Sequence, residues 1–264
     1  MQMLRICVIS GAVVAAAAMG CSIAAAETQV IEHSFITTGS SALVAAIDNG
    51  SIEVVSNNSG GNAIQVTATV RNPDRVDYRV LQDGNTVSVI AKSDEGFDFF
   101  GGGGSGVDLL VSVPRETDLE VESSNGAIVV TGITGLISGK ASNGDVSITD
   151  SNGDIEIRTS NGRVALVDVS GQVQAQTSNG SISYSGTLRP GSANELQTSN
   201  GSIEVALVDT PGVEIAATTS NGRVSSSLPM TIGGEVKDNE LKGTIGEGGS
   251  SLDISTSNGS ISIK

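Results

Sequence analysis

Three carboxylates in the central part of the chain, Asp145, Asp154 and Glu156, have residue types and spacing suited to acid–base chemistry. Carboxylates on neighbouring strands can protonate a leaving group and activate a water molecule, as in glycoside hydrolysis. However, the regular part of the sequence lacks the long insertions that form a substrate cleft, and aromatic residues, on which sugars stack, make up 2% of the chain. A polysaccharide-processing enzyme is therefore the least favoured function.

Other reactive side chains are scarce. His33 is the one imidazole in the chain, and both thiols, Cys7 and Cys21, lie close to the N-terminus. A His-rich zinc site or a Cys–His nucleophile pair needs more of these groups. The sequence therefore predicts a protein that is not an enzyme, with no catalytic residue, no cofactor and no metal site.

The charge of the chain limits its partners. It has 14 Lys and Arg residues against 29 Asp and Glu residues, a formal net charge of -15. Such a charge repels a phosphate backbone, so we expect no nucleic-acid partner.

Residues 1–26 have the features of an export signal, since an apolar run at Ile6–Gly20 is followed by small residues. Two cleavage sites are possible. Cleavage before Cys21 would follow a lipobox-like Ala18–Cys21 segment and make Cys21 a lipidated first residue; the alternative is ordinary cleavage after Ala26. Both predict an exported protein of the cell envelope, either an outer-membrane lipoprotein or a periplasmic or secreted protein. A lipid on Cys21 would be its one predicted membrane anchor.

A repeat of nine residues runs through the middle of the chain. Each repeat starts with Gly-x-aliphatic-x-aliphatic, as in Gly144–Ile148 and Gly153–Ile157, and this alternation is typical of half-buried strands. The glycines that open the repeats are Gly126, Gly135, Gly144, Gly153, Gly162, Gly171 and Gly180.

A longer period, about 18 to 21 positions, brings back a Ser-Asn-Gly corner, with a Thr before it in most repeats. Strands and tight corners without helical segments are typical of a parallel β-solenoid, in which each strand pairs with its equivalent one coil away. Stacked Asn side chains can hydrogen-bond from coil to coil. The predicted corner ladder consists of Asn125, Asn143, Asn161, Asn179, Asn200, Asn221, Asn239 and Asn258.

A series of antiparallel hairpins is the alternative, because Asn-Gly between alternating strands is also a strong hairpin signal. The strict spacing of nine residues favours the solenoid. We therefore predict an all-β fold, a parallel β-solenoid in which the number of residues per coil is about 18 to 21.

The sequence divides into the signal at 1–26, an N-terminal β section and cap at 27–123, and regular repeats at 124–264, with the last two forming one continuous domain. The section at 27–123 is less regular, although Asp48–Val54 repeats the corner-and-strand pattern, and Asp83–Asn85 predicts a hairpin turn. Such a section can cover an open end of the solenoid.

Phe97, Phe99 and Phe100 lie beside a run of four glycines and form the most hydrophobic loop of the chain. Two interpretations remain open for this loop. It is a docking tip for a partner or a membrane, or it folds back on the cap.

Val107–Pro114, then Leu119–Val121, then the repeated Ser-Asn-Gly-x-Ile-x-Val units resemble a bacterial putative-adhesin β-strand-repeat family of unknown function, similar to head-GIN-domain adhesin-like proteins. The resemblance covers about residues 30–264. It implies an exported right-handed β-solenoid, called an adhesin by analogy or linked to envelope stress, and it brings no catalytic residues.

We therefore expect a non-enzymatic, adhesin-like binding protein of the cell envelope, with an unidentified macromolecule of the envelope or of a host surface as its partner. The alternative is a periplasmic envelope-stress or scaffold component. The sequence leaves the ligand, the oligomeric state and the handedness of the coil open.

Overall fold

The structure is a computed structural model that describes residues 27–57, 61–93, 104–209, 212–233 and 237–264. In these residues the chain is all-β, with one short 3-10 helix at Pro73–Arg75 and no α-helix. The strands are β1 (Thr28–Ile36), β2 (Ser41–Asn49), β3 (Ile52–Ser56), β4 (Ala63–Arg71), β5 (Val76–Asp83), β6 (Thr86–Ser93), β7 (Gly106–Val113), β8 (Thr117–Asn125), β9 (Ile128–Thr131), β10 (Thr134–Asn143), β11 (Val146–Thr149), β12 (Asn152–Asn161), β13 (Val164–Asn179), β14 (Ile182–Leu188), β15 (Ala193–Asn200), β16 (Ile203–Leu207), β17 (Gly212–Asn221), β18 (Val224–Ser226), β19 (Thr231–Ile232), β20 (Glu240–Gly246), β21 (Ser250–Asn258) and β22 (Ile261–Ile263).

The strands pair in two series that share β13. The first series runs β1–β4–β7–β3–β9–β11–β13–β14–β16–β22–β18. The second series runs β5–β6–β2–β8–β10–β12–β13–β15–β21–β17–β20–β19. Strands in the middle of both series are parallel, whereas the pairs β1–β4, β4–β7, β5–β6, β17–β20 and β19–β20 are antiparallel.

Side chains alternate between inward and outward positions along each strand, and the inward ones form the core. In β12, Ile155, Ile157 and Thr159 point inward and are buried, while Arg158 between them is exposed. Inward positions of both series are mostly Val, Ile and Leu, whose branched side chains suit a pleated surface, and they form one continuous aliphatic cluster. A core can therefore be built almost without aromatic residues.

The order of the strands differs from the order of the chain at both ends. The coil of β2 and β3 lies between β8–β9 and β6–β7. At the other end, the final strands β21 and β22 lie between β15–β16 and β17–β18. Each end of the chain thus supplies an internal layer of the stack.

Two different structures cover the ends of the stack. The first, here called the N-terminal end, is formed by the antiparallel strands β1, β4, β5 and β6, and β5 and β6 are joined by the predicted turn after Asp83. The C-terminal end is formed by β20 and the very short β18 and β19. Within the described residues, the structure contains no helix of the length and apolarity needed to cross a membrane.

Candidate functional site

Asn side chains line one corner of the stack in an unbroken row of hydrogen bonds. Each amide after the first donates to the Oδ1 of the preceding one at 2.9 or 3.0 Å, in the spatial order Asn49, Asn125, Asn143, Asn161, Asn179, Asn200, Asn258 and Asn221. We call this set the Asn row. An amide carries both a donor and an acceptor, so the same bond repeats from layer to layer.

The predicted place of Asn239 in this row is wrong. Its Nδ2 donates to the carbonyl of Thr219 at 3.2 Å, and its own carbonyl accepts from the Thr219 amide. The cause is the antiparallel pairing of β20 with β17, which cannot keep the parallel register of the corners. Asn258 occupies the position between Asn200 and Asn221, and Asn49, which the sequence analysis left out, starts the row.

Behind the Asn row, inward hydroxyls bond to the corner glycines. For example, Thr177 is 2% exposed and its Oγ1 donates to the carbonyl of Gly162 at 3.0 Å. The same contact is made by Thr159, Thr198, Thr219, Thr256 and Ser123 to a glycine of the adjacent layer. The corner shields these carbonyl groups from water, and the hydroxyls provide the hydrogen bonds that the carbonyl groups need.

We predict that Thr177→Val destabilises the protein by about 1–2 kcal/mol, because valine has the same shape but leaves the Gly162 carbonyl without this donor. Thr149→Val, at a partly exposed outward position, is the matched control and should change stability little. Urea unfolding measures both. Equal effects of the two substitutions would contradict the role of the buried bond.

A shallow polar groove of about 380 Å³ lies on the outer surface beside the Asn row. Its lining includes Glu122, Lys140, Arg158 and Gln176, which stand on neighbouring strands in register. Gln176 continues the column through a 3.3 Å hydrogen bond from its Nε2 to Gln197 Oε1. We call this feature the Lys140–Arg158 groove.

Two basic side chains, Lys140 and Arg158, lie side by side in the groove of this acidic protein. Lys140 makes no ion pair within the described part of the chain, whereas Arg158 pairs with Glu156 along its own strand. All four aligned side chains are exposed, so they are available to a ligand. The arrangement can donate hydrogen bonds to a carboxylate from Lys140 and Arg158, and to hydroxyls from the flanking amides.

The three carboxylates with the spacing for catalysis take part in other contacts. Asp154 pairs with Arg189, Glu156 with Arg158, and Asp145 Oδ1 accepts from the backbone amide of Arg163 at 2.7 Å. No group of three or more metal-ligating side chains occurs in the described residues.

His33 lies at the N-terminal end of the stack between two aromatic rings. Its ring centroid is 6.0 Å from those of Phe35 and Tyr78, and its Nε2 is buried and has no hydrogen-bond partner among the residues that the structure describes. Burial lowers the pKa of His33 because the charged imidazolium is poorly solvated there.

We predict that the free energy of unfolding falls as the pH drops through about 6.5, the pKa of an exposed histidine. The unfolded chain binds the proton first, since the folded pKa is lowered, so the neutral form stabilises the fold above that pH. Urea unfolding at pH 7.5 and 5.5 measures the effect, and His33→Gln should remove part of it. An unchanged pH response in that variant would contradict the prediction.

The remaining site residues, Cys21, Phe97, Phe99 and Phe100, lie outside the described residues. The sequence analysis also missed the Lys140–Arg158 groove. A signal for it was present, because Glu122, Lys140, Arg158 and Gln176 follow one another at the same interval as the central members of the Asn row.

The fold and this surface define a class of β-strand-repeat proteins, in which parallel strands stack in register and carry columns of polar residues. The chain belongs to the Toastrack DUF4097 family, whose model matches residues 45–155 and 136–264. This match confirms the predicted resemblance to a β-strand-repeat family of unknown function. The two matched segments overlap, as expected when a repeat is matched twice.

Two solved structures are similar over most of the chain. A putative cell adhesion protein from Clostridium sporogenes ATCC 15579 has 12% identity and a TM-score of 0.39, covering 90% of this chain and 99% of its own. A putative adhesin from Bacteroides fragilis NCTC 9343 has 14% identity and a TM-score of 0.37, covering 89% and 97%. A search of curated proteins gives no match.

Proposed function

We propose that this protein is a non-enzymatic, adhesin-like binding protein of the cell envelope, and that it holds an extended macromolecule against its outer surface. We further infer that the stack is a parallel β-solenoid in which the number of residues per coil is about 18 to 21. The observation that carries the function is the column from Glu122 to Gln197, with Lys140 and Arg158 at its centre. The names of the two similar crystal structures, a cell adhesion protein and an adhesin, agree with this function.

Periodicity favours a linear polymer as the ligand. Neighbouring parallel strands are about 4.8 Å apart, so the column offers one polar side chain at each step along the stack. A polymer with repeated hydroxyls can contact Gln176, Gln197 and the Asn row, while an isolated carboxylate contacts Lys140 and Arg158. The net charge of -15 disfavours a densely charged polyanion. We therefore propose a hydroxyl-rich polysaccharide that carries occasional carboxylates.

Binding tests the groove directly. We predict that the double variant Lys140→Ala and Arg158→Ala binds a partly esterified pectin about tenfold more weakly, which corresponds to about 1.4 kcal/mol for the lost charged hydrogen bonds. The matched control is Arg79→Ala with Lys242→Ala, because it removes the same charge away from the groove. Isothermal titration measures affinity, with uncharged dextran as a second ligand.

Comparison of the two double variants distinguishes binding in the groove from a general effect of the protein's charge. Weaker binding in the groove variant alone supports the proposal. Equal loss in both variants, or no binding of either polymer, contradicts it. Turnover of a polysaccharide that is lost in Glu156→Gln would instead support the enzyme.

Localisation distinguishes adhesion from a periplasmic scaffold. Protease treatment of intact cells should cleave the protein while a periplasmic control survives, since adhesion requires access from outside. Protection until the outer barrier is lysed would favour the scaffold or envelope-stress role. The intact mass of the native protein then decides between a lipidated Cys21 and a chain that begins at Glu27.

A further inference from the structure

The N-terminal end of the stack presents a long strand with one free edge. Strand β1 has nine residues, and β4 is its one strand partner within the described residues. At the same end, β5 has eight residues, and among the described strands it pairs with β6 alone. Unpaired edges of this length are templates for pairing with another strand.

The register of β1 and β4 fixes which backbone groups point outward. The amide of Asn72 donates to the carbonyl of Glu27 at 2.9 Å, and the amide of Thr37 donates to Asn62 at 2.7 Å. Because hydrogen-bonded pairs alternate in an antiparallel ladder, the odd-numbered residues of β1 bond to β4. The even-numbered residues therefore direct their N–H and C=O groups to the free edge, and in agreement the carbonyl of Ile36 accepts from Gln82 Nε2.

Two large apolar side chains of this strand are exposed to solvent. Val30 is 55% exposed and Ile36 is 76% exposed. Inward-facing Ile31, Val76 and Tyr78 are partly buried hydrophobic residues at the open end of the core. The edge has neither lysine nor proline, which commonly prevent edge-to-edge association.

The opposite end differs: within the described residues, β19 pairs with the middle of the seven-residue strand β20 and leaves only the two ends of that strand unpaired on this side. Its outermost strands are β18, with three residues, and β19, with two, and Pro229 lies between them. Short edge strands and proline protect a sheet from association. Contact between copies is therefore favoured at one end only, which makes a closed pair and not a filament.

We propose that the N-terminal end is the interface of a two-fold dimer, in which β1 pairs antiparallel with β1 of a second copy. Side chains select both the partner and the register. When Val30 lies opposite Ile36 of the partner subunit, Glu32 lies opposite Ser34 of the partner subunit, and the two most exposed apolar side chains of the strand meet. A shift by one residue on each chain places Glu32 opposite Glu32 of the partner subunit, which is unfavourable.

A two-fold axis that relates the two copies of β1 also brings the two copies of β5 towards each other. The partly exposed side chains of Ile31, His33 and Tyr78 then lie between the two copies and are shielded from water. The dimer therefore covers backbone groups and an open core end in one contact.

The first experiment is sedimentation equilibrium of the full-length protein from about 1 to about 100 μM, a range that detects micromolar dissociation constants. We expect a concentration-dependent dimer. Glu32→Pro should abolish it while leaving the fold intact, because the Glu32 amide points away from β4 and proline removes no bond of the β1–β4 pair. A monomer throughout this range, a larger assembly, or a dimer that persists in Glu32→Pro overturns the proposal.

A second variant tests the same interface in case Glu32→Pro does not fold. Val30→Lys with Ile36→Lys places charge on the edge and should give a folded monomer, whereas Leu136→Lys with Ile232→Lys, at exposed apolar positions elsewhere, should remain dimeric.

Hydrogen exchange of the backbone amides tests the proposed pairing residue by residue. The amides of Val30, Glu32 and Ser34 should become protected as concentration rises, while those of His33 and Phe35 are protected throughout; equal behaviour of the two sets overturns the proposal.

Discussion

Gly162→Ala should disrupt the stacking of the layers and lower the free energy of unfolding by about 3 kcal/mol. A Cβ at Gly162 would lie 2.0 Å from the carbonyl oxygen of Gly144 and 2.6 Å from its carbonyl carbon. Both atoms belong to backbone that is held by neighbouring layers, so no flexible side chain can move aside. Gly162 is therefore needed for the close approach of two backbone segments in adjacent layers.

Gly61→Ala is the matched control, since a Cβ there meets no atom of the described residues within 4 Å and the residue lacks a left-handed backbone. Urea unfolding of both variants, followed by circular dichroism, measures the difference. If Gly162→Ala were as stable as Gly61→Ala, the close backbone contact between Gly162 and Gly144 would be contradicted. The solenoid proposed from it would then lose its main support.

Ile261→Ala, three residues from the end of the printed sequence, should cost about 3 kcal/mol, as much as the same change in the middle of the chain. Ile261 is 0% exposed, and its strand β22 lies between β16 and β18. Removing its side chain leaves a cavity inside the stack.

Ile148→Ala provides the reference, because Ile148 is also 0% exposed and lies in the central strand β11. Chemical denaturation of the two variants gives the comparison. A chain stacked in sequence order would place Ile261 in a frayed final coil, where truncation costs little. A near-zero effect at Ile261 with a large effect at Ile148 would therefore contradict the inserted position of β22.

Local features of the sequence predict the strands well. Alternating aliphatic residues such as Val146 and Ile148 are buried, and the turn after Asp83 joins two antiparallel strands. These features depend on neighbours in the chain, since side chains of a strand alternate between its two faces.

The position of Asn239 shows where such reasoning stops. Adding the interval between Asn161 and Asn179 to the position of Asn221 leads to Asn239, but the chain turns back there. Strand β20 therefore runs antiparallel to β17. The next Asn, Asn258, fills a layer between two earlier ones. Nothing in the spacing distinguishes a coil that adds to the end from a coil that inserts.

Repeat spacing in the sequence predicts only part of the candidate site. The repeat interval places Glu122, Lys140 and Arg158 in one column, as it does the Asn row. The column alone does not define a groove. The groove depends on the shape of the surface that several adjacent layers form together. This shape cannot be predicted from the sequence of a single repeat.

The sequence by itself determined the all-β class, the family and the central repeat, because periodic burial and tight Asn-Gly corners follow from local steric and hydrophobic requirements. The tertiary structure decided the order of the terminal layers, the free edge of β1 and the groove at Lys140 and Arg158. These depend on pairing between distant segments, where several arrangements satisfy the same local pattern and the packing of the whole stack selects one.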